Sequence, residues 1–240
     1  MITTETEAIV LRTVRINGGK TIADVLTADG CRRQFVVPAG GRGLQRAVLQ
    51  PMNIVCAEYN AGRSPLPRLR SVRLSQPYTS MHTDDRKLAL ALFAAEFLSN
   101  ATRGEQQNVP LYEYIKSSML WLDACPAAHS LANFHIVLMM RLTRFIGIMP
   151  DISGAAPAKI FDMRQACYTD SQPCHPDYLP PAQARLLPLL MRIDFATMHL
   201  LRLTRSQRAT IVAIITDFYR LHVPAFQPLR SPAVLHELWT

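Results

Sequence analysis

The chain has 240 residues, 49% of them hydrophobic and 18% charged, with 17 prolines and 10 glycines. That balance excludes a collagen-like repeat and an acidic disordered chain, and it supplies apolar surface for one large domain or two small ones. The formal charge of +8 is carried by 26 basic residues, of which 22 are arginines.

Residues 1–80 hold 11 basic and 5 acidic side chains, a net of +6, whereas residues 81–240 hold 15 and 13, a net of +2. An arginine-dominated basic third points to a polyanionic partner, because guanidinium forks match phosphate oxygens and stack on bases. No apolar run reaches the ~20 residues that cross a bilayer as a helix. The opening Met1-Ile2-Thr3-Thr4-Glu5-Thr6-Glu7 is acidic and polar, unlike a secretory leader, so a cytoplasmic location is expected.

In chain order, Glu7 to Ile16 is rich in β-branched residues and ends at the turn signal Asn17-Gly18-Gly19. Thr21 to Thr27, a second turn at Ala28-Asp29-Gly30, and Cys31 to Val37 complete a predicted antiparallel meander. A flexible basic connection follows from Pro38 to Gly43. Val48 to Tyr59 reads as a fourth strand, at an edge or with a bulge because of Pro51, and Leu66 to Leu74 as a fifth. Five short strands without a crossover helix predict a small closed or nearly closed barrel of the OB-fold kind.

The pattern changes near residue 80. Thr83-Asp84-Asp85 caps a helix running to about Thr102, and Asn108-Val109-Pro110 starts another reaching about Cys125. Leu131, Phe134, Leu138, Leu142, Phe145 and Met149 recur at helical spacing with few polar neighbours, as in the central helix of a bundle. Residues 152–181 read as an irregular proline-rich insert. Helices resume near Ala182, and the last long one spans Ser206 to His222. The expected class is α+β, with an OB-fold over 1–80 and a helical bundle over 81–240.

Five stretches resemble the bacterial RecO family in the same order. They are Thr6-Glu7-Ala8-Ile9-Val10-Leu11-Arg12, Leu49-Gln50-Pro51, Asn133-Phe134-His135 with Arg141 to Gly147, Phe161-Asp162-Met163-Arg164 with Cys167, and Tyr219 to Pro224 with Leu229 to Leu235. The resemblance implies an N-terminal OB-fold and a helical C-terminal domain. It implies binding of single- and double-stranded DNA, annealing of complementary strands, and help in loading RecA onto DNA coated with single-strand-binding protein. Implied partners are RecR and the acidic C-terminal tail of the single-strand-binding protein, with a cytoplasmic, nucleoid-associated location. The alternative is an OB-fold scaffold that binds protein or RNA without annealing DNA.

Some members of that family carry a zinc site of four cysteines in the insert. This chain has Cys167, Cys174 and His175 there without paired C-x-x-C knuckles, so no metal or other cofactor is expected. Cys125 and His129 stand four apart, but Pro126 breaks the helix between them. The five cysteines read as reduced thiols. No phosphate-loop, nucleophile-elbow or zinc-protease motif is present. Asp84-Asp85 and Asp162 could imitate a nuclease metal site, but a helix N-terminus explains the pair better, and no enzyme is expected.

The expected DNA-contacting set is Arg12, Arg15, Lys20, Arg32, Arg33, Arg42 and Arg46. Strand alternation puts Arg12 with Val10 and Val14, Arg15 with Ile9 and Leu11, and Arg32 opposite Arg33. Lys20, Arg42 and Arg46 lie in or beside loops that reach a phosphate backbone. Among the aromatics, Phe35 is expected in the core and Tyr59 as a stacking platform. Arg63, Arg68, Arg70 and Arg73 either extend the positive surface or guard a strand edge. On the apolar helix, Arg141 and Arg144 either pair with Asp162 or Asp194, or form a cationic rim that grips an acidic, apolar peptide tail.

Overall fold

The computed structural model describes residues 2–16, 20–38, 47–61, 64, 66–104, 107–126, 131–224, 226–232 and 235. They divide into two compact units, 1–126 and 127–240.

In the first unit, β1 (Ile2–Arg15), β2 (Thr21–Thr27), β3 (Arg32–Val37), β4 (Ile54–Ala61) and β5 (Leu69–Gln76) form an antiparallel sheet in the order β3-β2-β1-β4-β5. One side gathers Val10, Val25, Phe35, Val55 and Leu69 into a core, one residue from each strand. The only link from β3 to β5 among the described residues is a parallel bridge between Val36 and Arg68, with the Val36 N–H donating to the Pro67 carbonyl at 3.0 Å. The strands therefore curl as in an OB-fold, but no continuous ladder closes them into a barrel. The expected fourth strand begins later than its sequence pattern, at Ile54. Pro51 has no N–H for a ladder, and it sits in a turn where Met52 has φ 66° and donates its N–H to the Val10 carbonyl.

A β-bulge interrupts β1 between Val10 and Arg12. Simple alternation would keep Arg12 beside Val10. The extra residue instead leaves Val10 in the core and sends Arg12 and Val14 to the outer face. This corrects the expected grouping.

Two long helices among the described residues pack with this sheet. Asp84 caps α1 (Asp85–Ala101) by accepting the Arg86 N–H, and Asn108 caps α2 (Val109–Ala124) by accepting the Leu111 N–H, with Pro110 in the first turn. Leu90, Phe93 and Phe97 of α1 and Leu111 and Ile115 of α2 are fully buried, and α1 packs on β1. At the β2–β3 turn Gly30 has φ +79°, and a Cβ there would lie 2.3–2.4 Å from the Asn108–Val109 backbone. Only glycine allows that approach. The composition change near residue 80 marks the end of the strands, while the compact unit continues through both helices to Pro126.

In the second unit α3 (Phe134–Phe145) is central. Phe134, Ile136, Val137, Leu138, Met139 and Leu142 are all fully buried. The apolar spacing continues to Met149, but the helix stops earlier, because Gly147 turns the chain at φ +76° and leaves Met149 half exposed. The expected irregular insert contains a small antiparallel sheet, β7 (Cys167–Thr169), β6 (Ile160–Asp162) and β8 (Tyr178–Leu179) in that spatial order. Strands of two or three residues are too short to leave a periodic signal. After α4 (Pro181–Ala184) and α5 (Leu187–Arg192), α6 (Arg205–His222) begins with a capping box between Thr204 and Gln207. Ile211, Ile215, Phe218 and Tyr219 form its inner stripe. The Tyr219 hydroxyl donates to the Met139 carbonyl at 2.7 Å, tying α6 to α3.

Candidate nucleic-acid interface

The cations of the strand unit fall into two groups. Arg12, Arg32 and Arg33 are engaged. Arg12 meets Asp24 at 3.1 Å, and Arg32 grips the same carboxylate with two nitrogens at 2.9 and 2.6 Å. Arg32 also donates to the Ser99 carbonyl of α1 at 2.8 Å. Arg33 points the other way and pairs with Asp29 at 2.6 Å. Burial opposes ionisation of Asp24, but the bonds from Arg32 and then Arg12 outweigh it and hold the carboxyl below its ordinary range. Burial likewise opposes ionisation of Asp29, yet bonds from Thr27, Arg33 and the Cys31 N–H bring it down to about 2.

Arg15, Lys20 and Arg68 are exposed and make no ion pair among the described residues. Arg15 and Lys20 flank the tip of the β1–β2 hairpin, where the Ile16 N–H donates to the Lys20 carbonyl at 2.9 Å. Arg70 donates to the Thr3 hydroxyl at 2.7 Å and Arg73 pairs with Glu5 at 2.7 Å, both on the exposed surface. Arg42, Arg46 and Arg63 lie outside the described residues.

The expected stacking ring is placed differently. Tyr59 is 8% exposed and packs on Phe35 with ring centroids 4.8 Å apart. Its side chain faces the core with Val55 and Ala57, so it offers no open face to a base. Tyr78 is bonded through its hydroxyl to the Met52 carbonyl at 2.7 Å.

In the helical unit, Arg141 and Arg144 do not act as a pair. The Arg141 guanidinium donates to the Ile193 carbonyl at 2.9 Å, at the end of α5; it makes no ion pair within 4 Å among the described residues, although, after the bonds from Thr197, its charge helps keep the Asp194 carboxyl low. Arg144 is exposed. A different basic and apolar feature lies on the outer stripe of α6. Arg205, Arg208 and Val212, with Leu229 and Leu235, border a groove of about 460 Å³, whose rim also carries Arg220 paired with Asp217 at 3.6 Å. Sequence reading followed the inner apolar stripe of α6 and passed over this one, although the arginines stand at helical spacing.

His135 lies under the groove. Burial, with Arg208 nearby, pushes its imidazole down to about 3. Because the folded value lies below the unfolded one, the stabilisation is complete above the ordinary histidine range and declines as pH falls toward about 3. Between pH 7 and pH 5 the unfolded chain takes up a proton that the folded chain refuses, with a limiting slope of about 1.4 kcal/mol per pH unit. Urea unfolding at the two pH values is expected to show a larger loss for wild type than for His135→Gln. Equal losses would show that the buried imidazole does not set this dependence.

The remaining polar clusters have structural partners. His175 meets Asp162 at 3.3 Å, and Asp162 also accepts the N–H groups of Arg164 and Gln165. Cys174 is exposed and Cys167 half-buried. No group of three or more His, Cys, Asp or Glu side chains among the described residues is arranged to share a metal ion. Asp84 serves as the α1 cap. His129 lies outside the described residues. No helix among the described residues is long and apolar enough to cross a membrane.

Residues 1–78 match the family described as Recombination protein O N terminal, and residues 82–232 match Recombination protein O C terminal. The chain is 39% identical to the DNA repair protein RecO of Bacteroides fragilis, with 98% of each chain covered. Identity to the protein of that name from Phocaeicola vulgatus is 36%, covering 98% of this chain and 99% of the relative. With the Porphyromonas gingivalis protein it is 28%, over 97% of both.

Proposed function

The chain belongs to the RecO family of DNA repair proteins, and from that premise we propose that its strand unit holds the sugar–phosphate backbone of single- and double-stranded DNA. The observation that carries this reading is the separation of charges. The acids Asp24 and Asp29 are engaged by Arg12, Arg32 and Arg33, while Arg15, Lys20 and Arg68 remain exposed without an ionic partner among the described residues. Arg42 and Arg46 belong to the proposed set through their sequence positions in or beside the basic connection. Phosphate contacts of this kind fix the strand without reading its sequence.

Annealing follows from the same charge. Two phosphate backbones repel each other, and a cationic surface that neutralises part of both lowers that barrier without a covalent step or nucleotide hydrolysis. In the helical unit, the arginine-bordered groove of α6 suits the acidic, apolar tail of single-strand-binding protein better than Arg141, whose guanidinium already serves α5 carbonyls. Holding DNA and that tail on one chain would let the protein assist RecA loading on coated strands.

Filter binding of single-stranded DNA, duplex DNA and RNA of equal length tests the reading. Retention of both DNA forms is expected. Retention of RNA alone, or of none of the three, would overturn it.

A further inference from the structure

We propose that the hairpin end of the outer face of β1, β2 and β3, exposed among the described residues, is an aliphatic platform for unpaired bases, which makes Val14 and Ile16 determinants of single-strand preference. The proposal rests on the DNA-binding reading above and adds to it a contact that phosphate binding alone does not provide.

The bulge after Val10 turns Val14 outward, where it pairs across the sheet with Ile22, and Ile22 in turn pairs with Val36. Ile16 continues the row, opposite Lys20. Four aliphatic side chains from three strands thus share one face. Val14 and Ile16 are 41% and 40% exposed, and Ile22 and Val36 are half-buried. Farther along the same face the strands are covered, since Arg32 reaches from Asp24 to Ser99 of α1. The aliphatic row lies beyond that cover.

The surrounding charge selects the occupant. Asp24, the acid on this face, is held by two arginines. Lys20 stands at the hairpin end of the row, and Arg68 is bridged to Val36 at the other side. An apolar strip bordered by cations fits a polymer with apolar faces and an anionic spine. A single strand presents both, whereas a duplex hides its base faces inside the stack and offers only phosphate. A second copy of the chain would bring its own net +6 in residues 1–80 against this surface, which like-charge repulsion opposes. The platform is aliphatic where OB-folds usually stack bases on aromatic rings, in keeping with the burial of Tyr59.

The test uses the full chain and the double variant Val14→Thr/Ile16→Thr, which keeps β-branched residues in the strand and removes apolar surface. The probes are oligothymidylate, an abasic strand of equal length, and a duplex. Wild type is expected to bind oligothymidylate more tightly than the abasic strand, and the variant to lose roughly fivefold on oligothymidylate alone. Unchanged oligothymidylate affinity, or an equal loss on all three probes, would overturn the platform and leave the backbone reading standing. Absence of wild-type binding to every probe would overturn both. Wild-type self-association in sedimentation that the variant abolishes would assign the face to a second copy and overturn the proposal.

Discussion

Replacing Asp24 with asparagine is expected to lower the unfolding free energy by about 3 kcal/mol, the scale for removing one partner from a buried ion-pair cluster. The Asp24 side chain is 2% exposed and that of Arg32 15%. The carboxylate accepts two bonds from Arg32 and one from Arg12, and through Arg32 it joins β2 and β3 to α1 at Ser99. An asparagine keeps one acceptor, turns an amide toward a guanidinium, and leaves a buried positive charge without its counter-ion. Because the folded carboxyl lies below its ordinary range, the stabilisation is present at neutral pH and is lost on acidification through that depressed value. Urea unfolding at pH 7 measures the loss. A change under about 0.5 kcal/mol, the range of ordinary surface substitutions, would contradict this role. DNA affinity is expected to hold or rise in the same variant, since the 42%-exposed Arg12 is released.

Asp123→Ala is expected to cost about 4 kcal/mol, from several charge-assisted bonds lost together. The carboxylate accepts the backbone N–H groups of Thr79, Ser80 and Met81 at 2.7–2.8 Å, with the Thr79 and Ser80 hydroxyls. It fixes the segment leaving β5 to the last turn of α2. Lys87 of α1 closes the same joint, its ammonium donating to the Ser80 hydroxyl and to the carbonyls of Asp123 and Cys125. Burial opposes ionisation of Asp123, but the three backbone donors outweigh it and keep the carboxyl low. The stabilisation therefore belongs to neutral pH and disappears below the ordinary carboxylate range. Urea unfolding reads the cost. Retention of wild-type stability would show that the joint contributes little.

The legible parts of the fold were those decided by local signals. Thr21–Thr27 was bounded by two glycine-containing turns and is a strand at those limits. The starts of α1 and α2 were marked by Asp84 and by Asn108 with Pro110, each now seen as a cap. The length of β1 was not legible, because Ile2 to Thr6 is largely polar and becomes strand by pairing with β4. The bulge at Val10–Arg12 likewise arises from the register with β2.

The candidate site was half legible for the same reason. Arginine density in the first third is a property of composition. Which arginines remain available depends on Asp24 and Asp29, and the reach of Arg32 to Ser99 spans 67 residues. Tyr59 ended a strand in the sequence pattern, but β4 runs on to Ala61 and turns that ring inward. The α6 groove needs Pro228, Leu229, Pro232 and Leu235 brought against the helix, a juxtaposition that helical spacing alone does not announce.

Affinity for oligothymidylate across a wide range of salt concentration, in wild type and in Arg15→Ala/Lys20→Ala, tests the cationic backbone track most directly. The wild-type constant should fall linearly on logarithmic axes, and the double variant should show a slope shallower by about 1.4, roughly 0.7 for each lost phosphate contact on a single strand. A wild-type constant that stays flat from low to high salt, or identical slopes in the two proteins, would contradict it.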